Sequence, residues 1–308
     1  MPNNKQQQLG ILFALAAFIM WGLAPIYFKQ ITQIDAKEIL TQRILWSVLF
    51  LLIITLISKQ LPKVISVFKQ PKLLLMLLLS TALLGTNWGI FIWAVNNNHM
   101  LDTSLGYYIN PLINVLLGYF FLQERLRRRQ GIAVALAFSG VFIQLIAFGS
   151  IPIIALLLAC SFALYGLIHK KTHVESLPGL MIEALLLLPV AVVYWYLMPS
   201  SESSNLFNNT TAINSLLIGL GIVTTLPLLC FTAAAKRLQY TTIGFIQYIG
   251  PSLMFILAVA LYEETMEIKD MITFGFIWAA LIIFTWNSIR HSLKNKLLKD
   301  KFLEEKVL

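Results

Sequence analysis

The chain has 308 residues, of which 58% are hydrophobic and only 12% are charged. A soluble domain usually carries about 25% charged residues, so this composition excludes a water-soluble protein, and the apolar content excludes a disordered one. The net charge of +9 does not indicate nucleic-acid binding, because no basic face interleaved with exposed aromatic residues accompanies it. Two cysteines, Cys160 and Cys230, are too few for a disulfide scaffold. We therefore predict an all-α integral membrane protein.

Apolar runs of about 18 or more residues predict membrane-spanning helices, which we number as spans 1 to 10. The ten runs lie at roughly residues 9–29, 38–58, 72–95, 103–122, 130–148, 151–169, 178–198, 212–235, 241–262 and 270–289. Only a short segment containing Gly149 and Pro152 separates spans 5 and 6. These turn-forming residues predict a break there rather than one long helix.

The basic residues are distributed unequally between the two sides of the predicted membrane. Of the 23 Lys and Arg residues, 19 fall on one side when the loops are assigned to alternating sides. By the positive-inside rule this side is cytoplasmic, and both termini lie there. The basic tail after Arg290 is expected to be solvated or to lie on the inner leaflet as a surface helix, where it would contact membrane lipids.

The two halves of the chain resemble each other at an offset of about 140 residues. This offset aligns Pro111 of span 4 with Pro251 of span 9, and Glu124 with Glu264 at the far ends of these spans. Because each half has five spans, the second copy must be inverted relative to the first, as is typical of secondary transporters. We predict two inverted five-helix repeats, residues 1–148 and 149–290, followed by a basic cytoplasmic tail, residues 291–308.

Polar and aromatic residues within the spans are candidates for a substrate pathway, because an amide that faces lipid is costly. Pro111 and Pro251 each remove a backbone N–H in mid-span, which leaves polar backbone groups for a partner or a substrate. A packing kink without a ligand is the alternative interpretation of both prolines. The other candidates are Trp21, Asn87, Trp88, Tyr107, Tyr108, Asn110, Asn114, Gln247 and Tyr248.

Two ionisable residues lie inside the predicted spans, Arg43 in span 2 and Glu183 in span 7, and they are also 140 residues apart. At ~1.5 Å per residue their depths differ by roughly 15 Å, so we do not expect them to pair. Charges within a membrane are usually functional. We expect Arg43 to reach a polar cavity or the outer interface and Glu183 to reach the inner one. A further hypothesis is that Glu183 carries a coupling proton.

His169 and His173 have a spacing that can bind a metal ion on a helix. However, Lys170 and Lys171 would repel a cation, and no third ligand lies nearby. The sequence also lacks a nucleophile elbow, a phosphate-binding loop and a zinc signature. We therefore predict no metal, no cofactor and no catalytic residues.

Several segments together are similar to the RarD branch of the EamA family, in the drug/metabolite transporter superfamily. They are Trp21-Gly22-Leu23-Ala24-Pro25-Ile26-Tyr27-Phe28-Lys29, Arg43-Ile44-Leu45-Trp46-Ser47, Asn87-Trp88 and Gly106-Tyr107-Tyr108-Ile109-Asn110-Pro111-Leu112. The resemblance implies ten helices in two inverted repeats, a bacterial cytoplasmic membrane, export of small metabolites or drugs, and a central cavity among spans 1, 3, 4, 6, 8 and 9. Pro227 and Leu228 stand where the first repeat has Asn87 and Trp88, so the halves are not expected to contribute equal polar contacts.

The favoured interpretation is a secondary carrier for a small-molecule substrate that is neutral or zwitterionic and partly apolar. A lipid-modifying membrane enzyme is one alternative, but it would need His, Asp or Glu clustered at one interface. A channel is another, but it would need charged rings or a carbonyl filter. The sequence has neither pattern, and it does not predict an oligomeric state.

Overall fold

The computed structural model describes residues 4–97, 99–197, 206–261, 263 and 268–304. This part of the chain contains α-helices, one short 3-10 turn and connecting loops, without strands. The helices are α1 (Asn4–Phe28), α2 (Ala36–Ile57), α3 (Leu61–Phe68), α4 (Pro71–Asn96), α5 (Met100–Phe121), α6 (Arg128–Phe148), α7 (Ile153–Lys171), α8 (Ser176–Leu197), α9 (Thr211–Arg237), α10 (Tyr240–Gln247), α11 (Ile249–Ala260) and α12 (Ile268–Glu304).

Within the described residues, nine helical segments are long and apolar enough to cross a membrane. They correspond to every predicted span except span 4, which is α5. This helix has 22 residues, as many as α2, but it contains polar residues such as Asp102, Asn110 and Asn114 and is not among the nine apolar segments. The all-α membrane fold with ten helices in two inverted repeats is confirmed.

The break between spans 5 and 6 is also where the sequence predicts it. Helix α6 ends at Phe148, and Gly149 takes a left-handed conformation with φ of 75° that a side chain would disfavour. Two features were not predicted. The short helix α3 packs Val64 and Val67 into the bundle, and span 9 is divided into α10 and α11 at Tyr248.

The halves pack against each other in a pattern that is preserved when they are exchanged. Span 1 (α1) packs on spans 8 and 9 (α9 and α11), and span 6 (α7) packs on spans 3 and 4 (α4 and α5). Span 2 packs on span 7 (α2 on α8), and span 5 packs on span 10 (α6 on α12). Such reciprocal packing is what a pseudo-two-fold axis between inverted repeats produces.

Side-chain contacts define the two ends of the bundle. At one end, which we call the basic end, Arg237 donates to Gln6, Lys63 pairs with Glu175 at 2.6 Å, and the Lys171 ammonium lies 5.5 Å from the Phe121 ring centroid. At the opposite end, the Tyr27 hydroxyl donates to the Leu216 carbonyl, and Gln144 donates to Asp270 at 2.9 Å. The predicted cytoplasmic loops thus gather at the basic end.

Candidate functional site

Trp21 lies in an aromatic cluster between the two halves. Its ring is 5.6 Å from that of Phe162, 5.8 Å from that of Phe231 and 5.6 Å from that of Phe18. Trp21 and Phe162 occupy matched positions of the two repeats, so the two halves meet here at equivalent residues. This predicted pathway residue is packed against apolar rings of α1, α7 and α9.

Asn87 and Trp88 are neighbours on α4 but contact different parts of the protein. The Asn87 amide donates to the Leu158 carbonyl and to the Ser161 hydroxyl, both at 2.9 Å, and so connects α4 to α7. The Trp88 ring instead lies 4.8 Å from the Arg43 guanidinium carbon. Successive helical residues point about 100° apart, which explains the divergence.

Arg43 is the centre of a small site formed by several helices. Its Nε donates to the Thr224 hydroxyl of α9 at 2.9 Å, and its guanidinium carbon is 5.8 Å from the Phe28 ring centroid on α1. Tyr107 of α5 lies within electrostatic range of it. The structure therefore brings the predicted residues Arg43 and Trp88 into contact, with Phe28 and Thr224 as additional contacts and Tyr107 as an electrostatic neighbour. We call this set the Arg43 site.

The Tyr107 side chain is 40% exposed although it lies on an interior face of α5. Ser104, Tyr107, Pro111 and Asn114 follow one another at spacings of three or four residues and hence share one helix face. Exposed residues such as Phe120 lie on the other side of α5 and face outward. The shared face is accessible at Ser104 and Tyr107 but buried at Pro111 and Asn114.

Below Tyr107, three buried amides form one hydrogen-bonded network. Asn114 donates to Gln247 at 2.7 Å and to Asn110 at 3.3 Å, and Gln247 also donates to Asn110. Asn110 in turn donates to the Ala159 carbonyl of α7 at 2.5 Å. Among the described residues, the side-chain oxygen of Asn114, Oδ1, has no hydrogen-bond partner. This amide network joins α5, α7 and α10 across the repeat interface.

The matched prolines have different surroundings. Helix α5 continues through Pro111, whose carbonyl lies so close to Gly244 of α10 that a Cβ there would be 2.7 Å away. Pro251 lies in the first turn of α11, and because it lacks an N–H it cannot bond the Gln247 carbonyl one turn earlier. The chain accordingly breaks at Tyr248, whose hydroxyl donates to the Tyr108 carbonyl at 3.3 Å.

Tyr108 does not join the Arg43 site. Its ring packs edge-on against Phe274 at 5.6 Å, so it contributes to the contact between α5 and α12. Together with the Tyr248 hydrogen bond, this contact gives Tyr108 a packing role in the present conformation.

Glu183 is fully buried and does not share a partner with Arg43. It pairs with His169 Nε2 at 2.8 Å and accepts a hydrogen bond from the Tyr165 hydroxyl at 3.3 Å. His169, which sequence spacing associates with a possible metal site, is thus placed against Glu183, while His173 is exposed. No group of three His, Cys, Asp or Glu side chains suited to a metal ion occurs among the described residues.

Sequence reasoning missed a contact that closes the basic end. Glu124, after α5, accepts hydrogen bonds from the Tyr240 and Thr241 amides at 2.7 and 2.9 Å and from the Thr241 hydroxyl at 2.7 Å. A carboxylate is favourable there, since the amides at a helix N-terminus lack helical partners. The repeat alignment of Glu124 with Glu264 could have indicated that Glu124 has a structural role. Glu264 itself lies outside the described residues.

A cavity of about 20 Å³ lies between the halves, enough for about one water molecule. Its lining includes matched positions of the two repeats: Ile44 and Ala184, Leu84 and Thr224, and Trp88 and Leu228. A larger cavity of about 310 Å³ lies beside it between α2, α4 and α8, and Gly89, Trp93 and Tyr194 contribute to its walls. The small cavity marks the pseudo-symmetry axis, where the halves are in close contact.

Comparisons with known proteins agree with this architecture. The model of the EamA-like transporter family matches the chain twice, at residues 8–146 and 150–286. Protein RarD of Escherichia coli is 53% identical over 93% of this chain and 97% of its own length, and an uncharacterized transporter of Vibrio cholerae is 50% identical over 94% and 96%. A crystal structure with 16% sequence identity superposes with a TM-score of 0.71 over 89% of this chain and 96% of its own, which supports the fold. The chain is therefore a multi-pass membrane protein that belongs to the EamA-like transporter family, in its RarD group.

Proposed function

We propose that the protein is a secondary transporter that exports small metabolites or drugs across the bacterial cytoplasmic membrane by alternating access. The observation that carries this proposal is that the interface between the repeats is accessible near Tyr107 and tightly packed toward the basic end. Tyr107 is accessible on the interior face of α5, whereas the amide network and the Glu124 contact close the same interface below it. Alternating access requires an interface of this kind, open toward one side and sealed toward the other.

The orientation follows from the charge distribution. With 19 of 23 basic residues in the loops of one side, the basic end is cytoplasmic by the positive-inside rule, and both termini lie there. The conformation described above then faces outward. The tail after Arg290, whose helical backbone continues to Glu304, extends from the cytoplasmic side.

The proposed pathway runs between residues 1–148 and 149–290, which act as the two moving halves. From the outside inward it passes the Arg43 site and then meets the amide network of Asn110, Asn114 and Gln247. The Trp21 cluster and the broken helix at Tyr248 and Pro251 lie on the surfaces that must separate when the basic end opens. The amides then change partners, and the unpaired Asn114 oxygen is available to a substrate or a water molecule.

The test is a comparison of metabolites and drug susceptibilities between a deletion strain and an overexpression strain. We expect a set of small molecules to accumulate outside the overexpressing cells and inside the deletion cells. The comparison is repeated with Trp88→Ala and Asn110→Ala, and membrane levels of each variant are measured to exclude loss of the protein. If both variants transport every affected solute as well as the wild type does, the proposed pathway is wrong. If overexpression changes the distribution of no solute, the transport proposal itself fails.

A further inference from the structure

The Arg43 guanidinium has more hydrogen-bond donors than the protein satisfies. Arginine carries five N–H donors, and only the Nε–H is used, by the Thr224 hydroxyl. Among the described residues, the four terminal N–H groups have no acceptor, and no carboxylate lies within ion-pair distance. A cation inside a membrane protein is costly without compensation, so the protein supplies only part of the environment that Arg43 requires.

The aromatic contacts hold the guanidinium without satisfying its donors. Trp88 and Phe28 lie 4.8 and 5.8 Å from the guanidinium carbon, distances at which ring faces attract a cation. Such contacts leave N–H groups free, and a guanidinium fork matches a carboxylate with two parallel hydrogen bonds. With Tyr107 accessible beside it, the site combines one cationic fork with aromatic walls.

The matched position in the other repeat indicates what is missing. Glu183, 140 residues after Arg43, has a polar partner in the protein, because His169 Nε2 lies 2.8 Å from its carboxyl group. Phe28 is the repeat-related counterpart of His169, and a phenyl ring offers Arg43 no negative charge. In the part of the chain that the structure describes, Arg43 therefore has no counter-charge of its own.

We propose that Arg43 binds the carboxylate of a small organic anion whose apolar or aromatic part packs against Phe28, Trp88 and Tyr107. This inference rests on the proposed transport function and names the substrate class for it. The guanidinium of α2 contacts residues of α1, α4 and α9, and these contacts between helices favour a small soluble acid as the ligand.

Binding is measured by calorimetry on the purified full-length chain in a non-ionic sugar detergent without added phospholipid, so that no lipid phosphate competes. The probes are benzoate, phenylacetate and indole-3-acetate, each compared with its neutral amide. We expect saturable binding of at least one acid, and a Kd about tenfold or more higher for its amide, because the amide lacks the charge-assisted hydrogen bonds. Arg43→Gln should raise the Kd of the acid to that of the amide, and Arg43→Lys should give an intermediate value.

Lys37→Gln is the matched control, because it removes an exposed positive charge at the same end but outside the Arg43 site. It should leave the Kd within about twofold, since exposed charges at a distance are screened. The anion site is overturned if acids and amides bind equally, if no acid binds the folded wild type, or if Arg43→Gln leaves the Kd unchanged. Binding without any transport would instead overturn the proposed function and preserve the anion site.

Discussion

Arg43 and Glu183 occupy equivalent positions in the two repeats, but they differ in exposure and in hydrogen-bond partners. Glu183 is 1% exposed, and its two oxygens contact His169 and Tyr165. Arg43 is partly exposed, uses one donor and otherwise meets aromatic rings. One half of the repeated fold thus pairs its ionisable side chain internally, and the other half leaves most of the Arg43 donors unpaired among the described residues.

The difference explains how an inverted repeat can serve an asymmetric substrate. Two identical halves would present the same groups twice, related by the pseudo-two-fold axis. Here the equivalent positions hold a buried His169–Glu183 pair in the second half and the proposed recognition site, with Phe28 and Arg43, in the first. The second repeat has Pro227 and Leu228 where the first has Asn87 and Trp88. Because Trp88 contacts Arg43, this difference also distinguishes the two positions.

The largest expected effect is a difference in the free energy of unfolding between variants at Glu183 and at Arg43. Glu183→Ala leaves His169 and the Tyr165 hydroxyl buried without their partner, and breaking a buried pair in this way costs roughly 3–5 kcal/mol. Arg43→Ala removes one hydrogen bond and two cation–π contacts from a partly exposed group and should cost less, about 1–3 kcal/mol in all. Thermal unfolding of the purified variants in detergent measures both changes.

The double variant Glu183→Ala/His169→Ala provides the control for that comparison. It removes both members of the pair and should destabilise the protein by less than the sum of the single variants, because no unpaired charge remains. Equal melting temperatures for Arg43→Ala and Glu183→Ala would contradict the distinction between a closed and an open site.

A smaller effect is expected from the carboxylate that closes the basic end. Glu124→Ala removes the hydrogen bonds to the start of α10, and interactions of this type contribute about 0.5–2 kcal/mol. In a chain without Cys160 and Cys230 and with Tyr107→Cys, the loss should favour the inward-facing state and slow labelling from outside severalfold. A membrane-impermeant maleimide applied to intact cells measures the rate.

Glu175→Ala is the matched control for this experiment, because Glu175 is an exposed carboxylate at the same end and pairs only with Lys63 in the described part of the chain. Its labelling rate should equal that of the parent chain. Identical slowing by Glu124→Ala and Glu175→Ala would show that the basic end responds to any lost charge, and that the Glu124 contact has no special role.

The smallest effect is predicted for Lys63→Ala. Lys63 and Glu175 form a short ion pair, but their side chains are 54% and 57% exposed. Exposed pairs contribute about 0.2–1 kcal/mol, and added salt weakens them further. The melting temperature should change little, and the change should shrink further at high salt. A loss as large as that of Glu183→Ala would contradict the view that burial decides how much these pairs contribute.

Much of the fold could be predicted from the sequence because it depends on local patterns. Apolar length gave the spans, and Gly149 and Pro152 gave the break between spans 5 and 6. The spacing of Asn110 and Asn114 placed both on one face of α5, where Gln247 completes their network. The rest depends on how helices pack against each other. The pairing of His169 with Glu183 requires the alignment of α7 with α8, and the Glu124 contact requires α10 to begin beside the end of α5.

We propose that Arg43 recognises the substrate, and we retain the hypothesis that Glu183 carries the coupling proton. The most direct measurement is transport by the purified protein in proteoliposomes, as a function of pH, of the anionic solute that the export screen identifies. Arg43→Gln should raise KM about tenfold or more and keep the pH profile of the wild type, because only the carboxylate contact is lost. Glu183→Gln should flatten the pH profile and leave KM within about twofold. If Glu183→Gln retains the full pH dependence, or if both variants raise KM equally, the division of roles between the two repeats is wrong.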